Sequence, residues 1–396
     1  MQLYDSLRRT LVPIQPIDDV VRMYVCGITP YDTSHMGHAR TYVVFDTMRR
    51  LLEWQGLPVL YVQNVTDIDD DVLRKGAELG VAWDELGRRE TESFLRNMAA
   101  INVAMPDHYV KATDSMPEIV EIVSGLIERG VAYEHNGSVY FSVQADPNFG
   151  SMAHSDYPTM LTTANERGNF PNDPNKRDPL DFVLWQAAKP GEPTWASPWG
   201  EGRPGWHIEC TAMVLHYLGP RINIHGGGGD LQFPHHACEL AQAECYSGQT
   251  PHVEAWSHVG MVCYEGEKMS KSLGNLVLVS DTLKEHTADA LRIALLKYPY
   301  REAYEYTDAD VVWAEGVVAR LQSAASSAVG GGGQSAEELR VDMLNALDSD
   351  FNTPECIRLL IALAEAATNG EIDDAESAAA TIREVGAILG LSAEQW

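Results

Sequence analysis

The sequence predicts an α/β protein: a parallel sheet flanked by helices, carrying an insertion and followed by a helical C-terminal region. Residues 21–79 alternate strand, helix, strand and helix, which is typical of parallel sheets. Strand-like runs resume at 221–233 and 256–264, and from about residue 311 the pattern becomes helical. Ligands of such sheets bind at the carboxyl ends of the strands, so we expect the functional region in the loops that follow them.

The first elements repeat one unit. "VRMYVCGITPYD" (21–32) is a β-branched run that ends in a turn, and residues 37–56 read as a helix closed by Gly56. Residues 57–79 repeat the pattern as a strand, a polar loop and a helix. Two consecutive strand–helix units therefore begin the sheet.

The middle of the chain is less regular. Residues 83–135 look largely helical, and residues 145–180 are rich in Asn, Asp and Pro, as loops are. We therefore predict a sheet-containing domain over residues 1–310, interrupted by an insertion at roughly 83–180, and a helical domain over residues 311–396.

The predicted helical domain is acidic. Residues 311–396 contain four arginines, no lysine and fourteen Asp and Glu, a net charge of −10, and the whole chain carries −28. RNA binding usually needs a basic footprint, so this surface is a poor candidate for RNA, although a solvated acidic face explains the charge equally well. "SSAVGGGGQS" (326–335) reads as a flexible linker or long loop.

Composition indicates a reducing compartment. No run approaches the roughly 20 apolar residues of a membrane span, and the N-terminus lacks an apolar secretory core, so we expect a cytoplasmic protein with no membrane contact. The cysteines are too sparse for a disulfide scaffold, which leaves reduced thiols or metal ligands. They are Cys26, Cys210, Cys238, Cys245, Cys263 and Cys356.

One segment concentrates side chains that bind metals. "FPHHACELAQAEC" (233–245) brings His235, His236, Cys238 and Glu239 close together. A lone histidine is more often structural, whereas adjacent histidines with thiols and a carboxylate also suit a metal ion. On these residues alone both interpretations stay open.

Two short motifs suit a nucleotide. "HMGH" (35–38) falls where the first strand gives way to the first helix, where free N–H groups and the helix dipole favour an anion that His35 and His38 could contact. "EGEKMSKSLGN" (265–275) carries Lys268 and Lys271, whose ammonium groups would stabilise a departing pyrophosphate. Incidental histidines and a solvated lysine loop are the alternatives, but the order and spacing of both motifs on an α/β chain favour function.

Here the sequence resembles the class I aminoacyl-tRNA synthetase superfamily, through HIGH-type and KMSKS motifs, and within it the branch that activates cysteine. The similarity runs from about Leu3 to about Gly390. It implies a Rossmann-type catalytic domain over 1–310, ATP with Mg²⁺ as substrate, and catalytic roles for the two histidines and two lysines. The segments that carry it are "YVCGIT" (24–29), "NVTDIDD" (64–70), "GRPGWHIECTAM" (202–213), "IHGGGGDLQFPHH" (224–236) and "KMSKSLGN" (268–275).

The resemblance also implies one zinc ion in the active site. Its ligands would be Cys26, Cys210 and His235, with Glu239 as a fourth that is weak or displaceable. Cys238 departs from the family pattern: it either replaces Glu239 or packs as a small apolar residue, and packing is favoured. A steric pocket separates a thiol from a hydroxyl poorly, whereas zinc binds thiolate strongly, so the metal would select cysteine over serine.

Further residues would surround the cysteine and the adenylate. By resemblance Trp206 walls the cysteine pocket, Asp230 holds the substrate ammonium, and the glycines before Asp230 leave room for the nucleotide. A core tryptophan, a turn aspartate and a plain glycine loop are the alternatives. The full predicted set is Thr29, Thr41, Asn64, Thr66, Trp206, Gly228, Gly229, Asp230 and Val262.

Two sub-families share these features: the cysteinyl-tRNA synthetases, and the mycothiol-pathway ligase, which transfers cysteine to a glucosaminyl-inositol amine. Pro30, the segment 166–181 and the segment 274–283 resemble the ligase, although Asn169 and Phe170 depart from its pattern. The chain ends at Trp396, so we expect no anticodon-recognition module.

Other segments fit the synthetases: Glu239, "HARTYVVFD" (38–46), "KRDPLDFVLW" (176–185) and "GEPTWASPWG" (191–200). A divergent cysteinyl-tRNA synthetase acting on tRNA is therefore the second hypothesis, and a non-catalytic zinc-binding paralogue is the third. The expected partners are L-cysteine, ATP and a small amino-sugar acceptor, bound by a monomer.

Overall fold

The computed structural model describes residues 1–31, 34–269 and 274–396. The strands within these ranges are β1 (Gln2–Asp5), β2 (Thr10–Pro13), β3 (Val21–Ile28), β4 (Val59–Val65), β5 (His108–Lys111), β6 (Ala132–His135), β7 (Ser138–Phe141), β8 (Phe182–Ala187), β9 (Gly202–Pro204), β10 (Ile222–Gly228), β11 (Val253–Val259), β12 (Val262–Tyr264), β13 (Glu267–Lys268), β14 (Tyr304–Glu305) and β15 (Gly330–Gln334).

Helices separate most of these strands. They are α1 (Met36–Trp54), α2 (Asp70–Leu79), α3 (Trp83–Ala100), α4 (Met116–Glu128), α5 (Tyr157–Asn165), α6 (Trp206–Leu218), α7 (Ala237–Ser247), α8 (Val279–Thr282), α9 (Ala288–Leu296), α10 (Asp308–Ser327), α11 (Ala336–Asp348), α12 (Thr353–Asn369) and α13 (Ala375–Ile388). In the described ranges none of them is both long and apolar enough to cross a membrane.

The centre of the molecule is a five-stranded sheet in the order β11–β10–β3–β4–β5, in which every neighbouring pair is parallel. β3 is buried along most of its length because helices pack on both faces, which explains its continuous apolar sequence. The predicted α/β fold with a parallel sheet is confirmed.

Successive side chains of β3 point to opposite faces of the sheet. Met23 and Val25 belong to the apolar core that contains α1 and the C-terminal helices. Tyr24 and Cys26 belong to the core on the other face, with α6 and α7. The alternation therefore places the Cys26 thiol on the side of α6 and α7.

The stretch 83–135 is only partly helical. α3 and α4 are helices, as predicted, but the segment also contains two four-residue strands, β5 and β6, that were expected to be helical. β5 is the parallel edge strand of the central sheet, so the chain around it belongs to that sheet. β6 to β9 form a separate antiparallel sheet, which extends to Pro204. The segment 132–204, which carries this sheet, is called the insert below. The predicted bounds of the insertion, roughly 83–180, and of the domains, 1–310 and 311–396, stay predictions.

The C-terminal region consists of α10 to α13, which pack against one another as predicted for a helical region. Within it, part of the glycine-rich segment 326–335, expected to be a flexible linker or long loop, is the extended segment β15. Gly330 and Gln334 both bridge to Ile372, so backbone hydrogen bonds hold the run beside the loop after α12. Glycine is needed there because a Cβ on Gly331 would lie 2.2 Å from the Gly370 carbonyl oxygen.

Arg292, on α9, connects the end of the C-terminal helical region to two helices of the sheet-containing region. Its guanidinium is fully buried and donates to Asp46 Oδ2 on α1 at 2.6 Å. It also donates to the carbonyls of Leu389, at 2.9 Å, and Ile101, at 3.0 Å. One side chain thus joins α1, the end of α3 and the end of α13.

Candidate active site

A cavity of about 730 Å³ lies at the carboxyl ends of the central strands. It is lined by the loop after β3, the first turns of α1, the start of α6 and the loop after β10. This is the position that a parallel sheet dictates for a ligand site. The predicted residues on its surface are Cys26, Thr29, His35, His38, Thr41, Trp206, Gly228, Asp230 and Val262.

Beside the Cys26 end of the cavity lies a buried group of potential metal ligands. Cys26, Cys210, His235 and Glu239 each offer one atom, and these atoms lie within 4.8 Å of one another. The two thiol sulfurs are 3.9 Å apart, and His235 Nε2 lies 3.0 Å from Glu239 Oε1. Helical spacing contributes to this arrangement, because His235 and Glu239 are four residues apart at the start of α7.

The donor set fits zinc. Two thiols, an imidazole and a carboxylate are zinc ligands, and all four residues are buried. Glu239 Oε2 is buried without a well-formed hydrogen bond, although His225 Nε2 lies 3.3 Å away. A buried carboxylate oxygen left in this state is costly unless a cation satisfies it. Cys238 is buried but belongs to neither group of metal-ligating atoms among the described residues.

A second group shares two of these residues. Cys26, Glu239, His225 and His236 also place their ligand atoms within 4.8 Å of one another. His236 Nε2 lies 3.3 Å and His225 Nε2 3.6 Å from the Cys26 sulfur. Sequence reasoning did not select these two histidines as ligands. The sequence offered no alternation to identify His225, because β10 is buried at every position from Ile222 to Gly227.

Outer contacts orient the histidines. His235 Nδ1 lies 2.8 Å from His207 Nδ1, so its Nε2 is the nitrogen that points towards Glu239. The Trp206 ring stacks on His235 with 4.2 Å between centroids. His236 Nδ1 in turn lies 2.8 Å from His258 Nε2. Such contacts fix the tautomer and ring position of metal-binding histidines.

The two candidate thiol ligands differ in acidity. Burial raises the pKa of Cys26 well above its ordinary value. For Cys210 burial also favours the thiol, but the hydrogen bond from Cys26 and the nearby His235 outweigh it and lower the pKa to about 7. Cys210 is therefore the thiol that more readily becomes the thiolate that a metal binds.

The HMGH motif forms the N-terminus of α1. His35 is the N-cap, and its Nδ1 accepts from the Gly37 N–H at 3.0 Å. The His35 and His38 rings are stacked, with centroids 4.0 Å apart. Since Nδ1 of a neutral His35 accepts, its proton resides on Nε2, which is then a donor. A Cβ on Gly37 would lie 2.8 Å from the His35 ring, so any larger residue there would displace the ring.

Three predicted residues lie behind the cavity surface. Asn64 and Thr66 are buried, and Asn64 Oδ1 accepts from the Gly27 N–H at 2.7 Å while Nδ2 donates to Thr66 Oγ1 at 3.2 Å. Gly229 follows Gly228 but does not line the cavity. Asn64 thus supports the strand end that bears Cys26, and direct contact of these residues with an adenylate stays a prediction.

The KMSKS segment is described in part. The backbone of Lys268 ends β13, while its side chain and the whole of Lys271 lie outside the described residues. Met269 is described, and its N–H donates to the Val262 carbonyl at 3.3 Å. Met269 and Val262 both line the cavity, so this segment begins at its wall.

Sequence reasoning missed two features of the cavity. Part of the cavity wall consists of Tyr31, Arg74 and Lys75. In the sequence, only their position after predicted strands indicated that these residues could line the cavity. Arg167, from the insert, donates to the Asp230 carbonyl and lies 3.9 Å from Asp230 Oδ2. The insert therefore contacts the residue predicted to bind the substrate ammonium.

The chain is similar to known proteins in sequence and in fold. Residues 13–315 match the family described as tRNA synthetases class I (C) catalytic domain, and residues 344–394 match the DALR domain. The chain is similar in fold to Mycobacterium tuberculosis methionyl-tRNA synthetase in complex with methionyl-adenylate, with a TM-score of 0.65 and 15% identity. That likeness covers 94% of this chain and 89% of the other.

Two kinds of relative match in sequence. The chain is 49% identical over 337 residues to an L-cysteine:1D-myo-inositol 2-amino-2-deoxy-alpha-D-glucopyranoside ligase from Catenulispora acidiphila, covering 82% of this chain and 79% of that protein. It is 43% identical over 403 aligned positions to a cysteine–tRNA ligase from Dehalococcoides mccartyi, covering 99% and 86%. The family model matches residues 13–315, and the parallel sheet and the stacked histidines of α1 agree with it. The chain therefore belongs to the class I tRNA synthetase (C) family.

Proposed function

We propose that this protein is an ATP-dependent cysteine ligase that forms cysteinyl-adenylate and then transfers cysteine to the amine of a glucosaminyl-inositol. Cysteine ligation is what both kinds of relative have in common by name. The observation that carries the proposal is the position of the Cys26–Cys210–His235–Glu239 group at one end of a cavity whose wall includes the paired histidines of α1.

The amino-acid end selects cysteine. Cys26, Cys210, His235 and Glu239 would hold the zinc ion, which when bound supplies a strong preference for a thiol over a hydroxyl. Trp206 lines the cavity and stacks on His235, so its indole fixes the width of the side-chain pocket. Asp230, on the same wall, holds the substrate ammonium, and Arg167 keeps the Asp230 backbone in place.

The nucleotide end drives adenylation. A cysteine carboxylate oxygen attacks the α-phosphorus of ATP, the new O–P bond forms, and the bond to the leaving pyrophosphate breaks. The Nε2–H groups of His35 and His38 and the N-terminus of α1 stabilise the charge that develops on the phosphates. Lys268 and Lys271 act on the departing pyrophosphate together with Mg²⁺, as ammonium groups do in phosphoryl chemistry.

The second step makes an amide. The neutral amine of the acceptor attacks the carbonyl carbon of the cysteinyl-adenylate, a C–N bond forms, AMP leaves, and the amine loses a proton to solvent. The acceptor assignment is supported by the similarity to the Catenulispora ligase and by Pro30 and segments 166–181 and 274–283. We expect the enzyme to act as a cytoplasmic monomer.

Cysteine–tRNA ligation is the second candidate, and Glu239 and the segments 38–46, 176–185 and 191–200, which fit the synthetases, favour it. A competition assay separates the two. The purified protein, with cysteine and ATP, is offered both glucosaminyl-inositol and cysteine tRNA, and the products are identified by mass.

We expect cysteinyl-glucosaminyl-inositol as the product, formed at a rate that depends little on salt, because the acceptor is almost uncharged. Charged tRNA as the dominant product, with a rate that falls steeply with salt, would establish the second candidate instead, because RNA binding releases condensed counterions.

A further inference from the structure

One wall of the cavity has no role in the chemistry described above. It consists of Tyr31, in the loop after β3, and of Arg74 and Lys75, on α2. The metal-binding group, Trp206 and Asp230 take the amino acid, and the α1 histidines take the phosphates. The acceptor must still reach the cysteinyl carbonyl, and this wall belongs to the same cavity.

The cations of this wall are paired with carboxylates of their own helix. Arg74 Nη2 lies 2.6 Å from Asp71 Oδ1, and Arg74 Nη1 lies 3.0 Å from Glu78 Oε1. Lys75 Nζ lies 3.7 Å from Glu78 Oε2. The third carboxylate of α2, Asp70, is paired with Arg203 on β9, so the charges of the helix and its ionic partners balance.

This pairing decides which ligand chemistry the wall fits. A phosphodiester offers acceptors alone, and the two cations that it would need are already paired with carboxylates, so it would meet a surface without excess positive charge. A sugar or inositol hydroxyl both donates and accepts, so it can receive from a guanidinium or ammonium and give to the paired carboxylate. An aromatic ring such as that of Tyr31 adds a flat apolar surface for the face of a sugar ring.

We propose that Tyr31, Arg74 and Lys75 form the acceptor subsite and bind the hydroxyls of a neutral polyhydroxy ring, the inositol half of the acceptor. The inference rests on the proposed function, because it assumes that the acceptor is an amino sugar. It goes further by assigning specificity for the second ring to three residues of the loop after β3 and of α2.

The test compares two acceptors with the full-length wild-type enzyme, two variants of Arg74 and one control variant. Glucosaminyl-inositol and glucosamine alone are titrated against the wild type, Arg74→Gln and Arg74→Lys, with cysteine and ATP saturating. The matched control is Arg88→Gln: Arg88, on α3, is paired with Glu92 at 2.9 Å, four residues on, as Arg74 is with Glu78, but it does not line the cavity.

We expect Arg74→Gln to raise the KM for glucosaminyl-inositol about ten-fold, since a charge-assisted contact to the ligand is lost. The KM for glucosamine should change much less, because that acceptor lacks the second ring. Arg74→Lys should restore part of the loss, and Arg88→Gln should match the wild type. Cysteine-dependent pyrophosphate exchange, measured on each variant, reports the first half-reaction separately.

Two results would overturn the subsite. One is an unchanged KM for glucosaminyl-inositol in Arg74→Gln, and the other is an equal rise for both acceptors. A different failure concerns the proposed function: if the wild type transfers cysteine to tRNA and to neither sugar, the amino-sugar acceptor is wrong, and the subsite falls with it. The wild-type acceptor assay therefore tells the two failures apart.

Discussion

Replacing Cys210 with alanine tests the link between the buried cysteine–histidine–glutamate group and substrate selection. The substitution removes one of four ligand atoms that lie within 4.8 Å of one another and leaves the Cys26 sulfur without its neighbour at 3.9 Å. Cys210 is also the thiol whose pKa lies at about 7, so it is the readier thiolate donor. We expect the zinc content of the purified variant to fall from about one per chain to a small fraction.

Selectivity should fall with the metal. A pocket that separates similar side chains by packing alone discriminates by about 10–200-fold, whereas a site that pairs specifically with the substrate's polar atom reaches about 10⁴-fold or more. The ratio of kcat/KM for cysteine to that for serine should therefore drop about 100-fold in Cys210→Ala, which is about 2.7 kcal/mol. Pyrophosphate exchange with each amino acid, together with metal analysis, measures both quantities.

The matched control is Cys238→Ala. Cys238 is equally buried but is not part of either metal-ligating group in the described residues, so this variant should keep its zinc and its selectivity. Undiminished zinc in Cys210→Ala would refute the ligand assignment. Loss of zinc with unchanged discrimination against serine would refute the selection argument while leaving the assignment standing.

Three other predictions follow from the same structure. His38→Ala and Lys271→Ala should each lower the kcat of pyrophosphate exchange about 100-fold or more, because these groups act on developing phosphate charge, while the KM for cysteine changes little. Near-normal rapid-quench kinetics of either variant would argue against that role. The transfer step should speed up with rising pH until the acceptor amine is neutral, and a flat pH–rate profile would contradict attack by the free amine. Arg292→Met should destabilise the protein by about 3 kcal/mol, since among the described residues it leaves buried Asp46 with Arg50, at 2.9 Å, as its remaining ionic partner. An unchanged melting temperature in calorimetry would show that the buried pair contributes nothing.

The parts of the fold that could be predicted have strong local signals. β3 is a long β-branched run followed by a glycine-containing helix start, and α1 ends before Gly56, whose φ of 78° suits glycine. β5 is four residues long and lies between helices, so its pairing with the distant β4, rather than its sequence, makes it a strand. β6 instead pairs with β7 across the Asn136–Gly137 turn, a hairpin signal that the sequence reading of 83–135 as helical did not use.

Some residues of the candidate site could likewise be predicted from the sequence, whereas others could not. The resemblance to the cysteine-activating branch implied Cys26, Cys210, His235 and Glu239 as ligands, and the fold brings them together from β3, α6, α7 and the turn before α7. Contacts between residues that are far apart in the sequence could not be predicted from it. Arg167 meets Asp230 across more than sixty residues of sequence, a distance at which no periodic pattern relates two side chains.

That contact has a consequence for engineering. Because Arg167 lies in the insert and supports the backbone of Asp230, the cavity is not a property of the parallel sheet alone. A minimised scaffold that deletes the antiparallel insert, or a chimera that exchanges it between relatives, would remove the contact that holds the Asp230 backbone at the cavity wall. Grafting this chemistry elsewhere means transplanting Arg167 together with the glycine loop that it contacts.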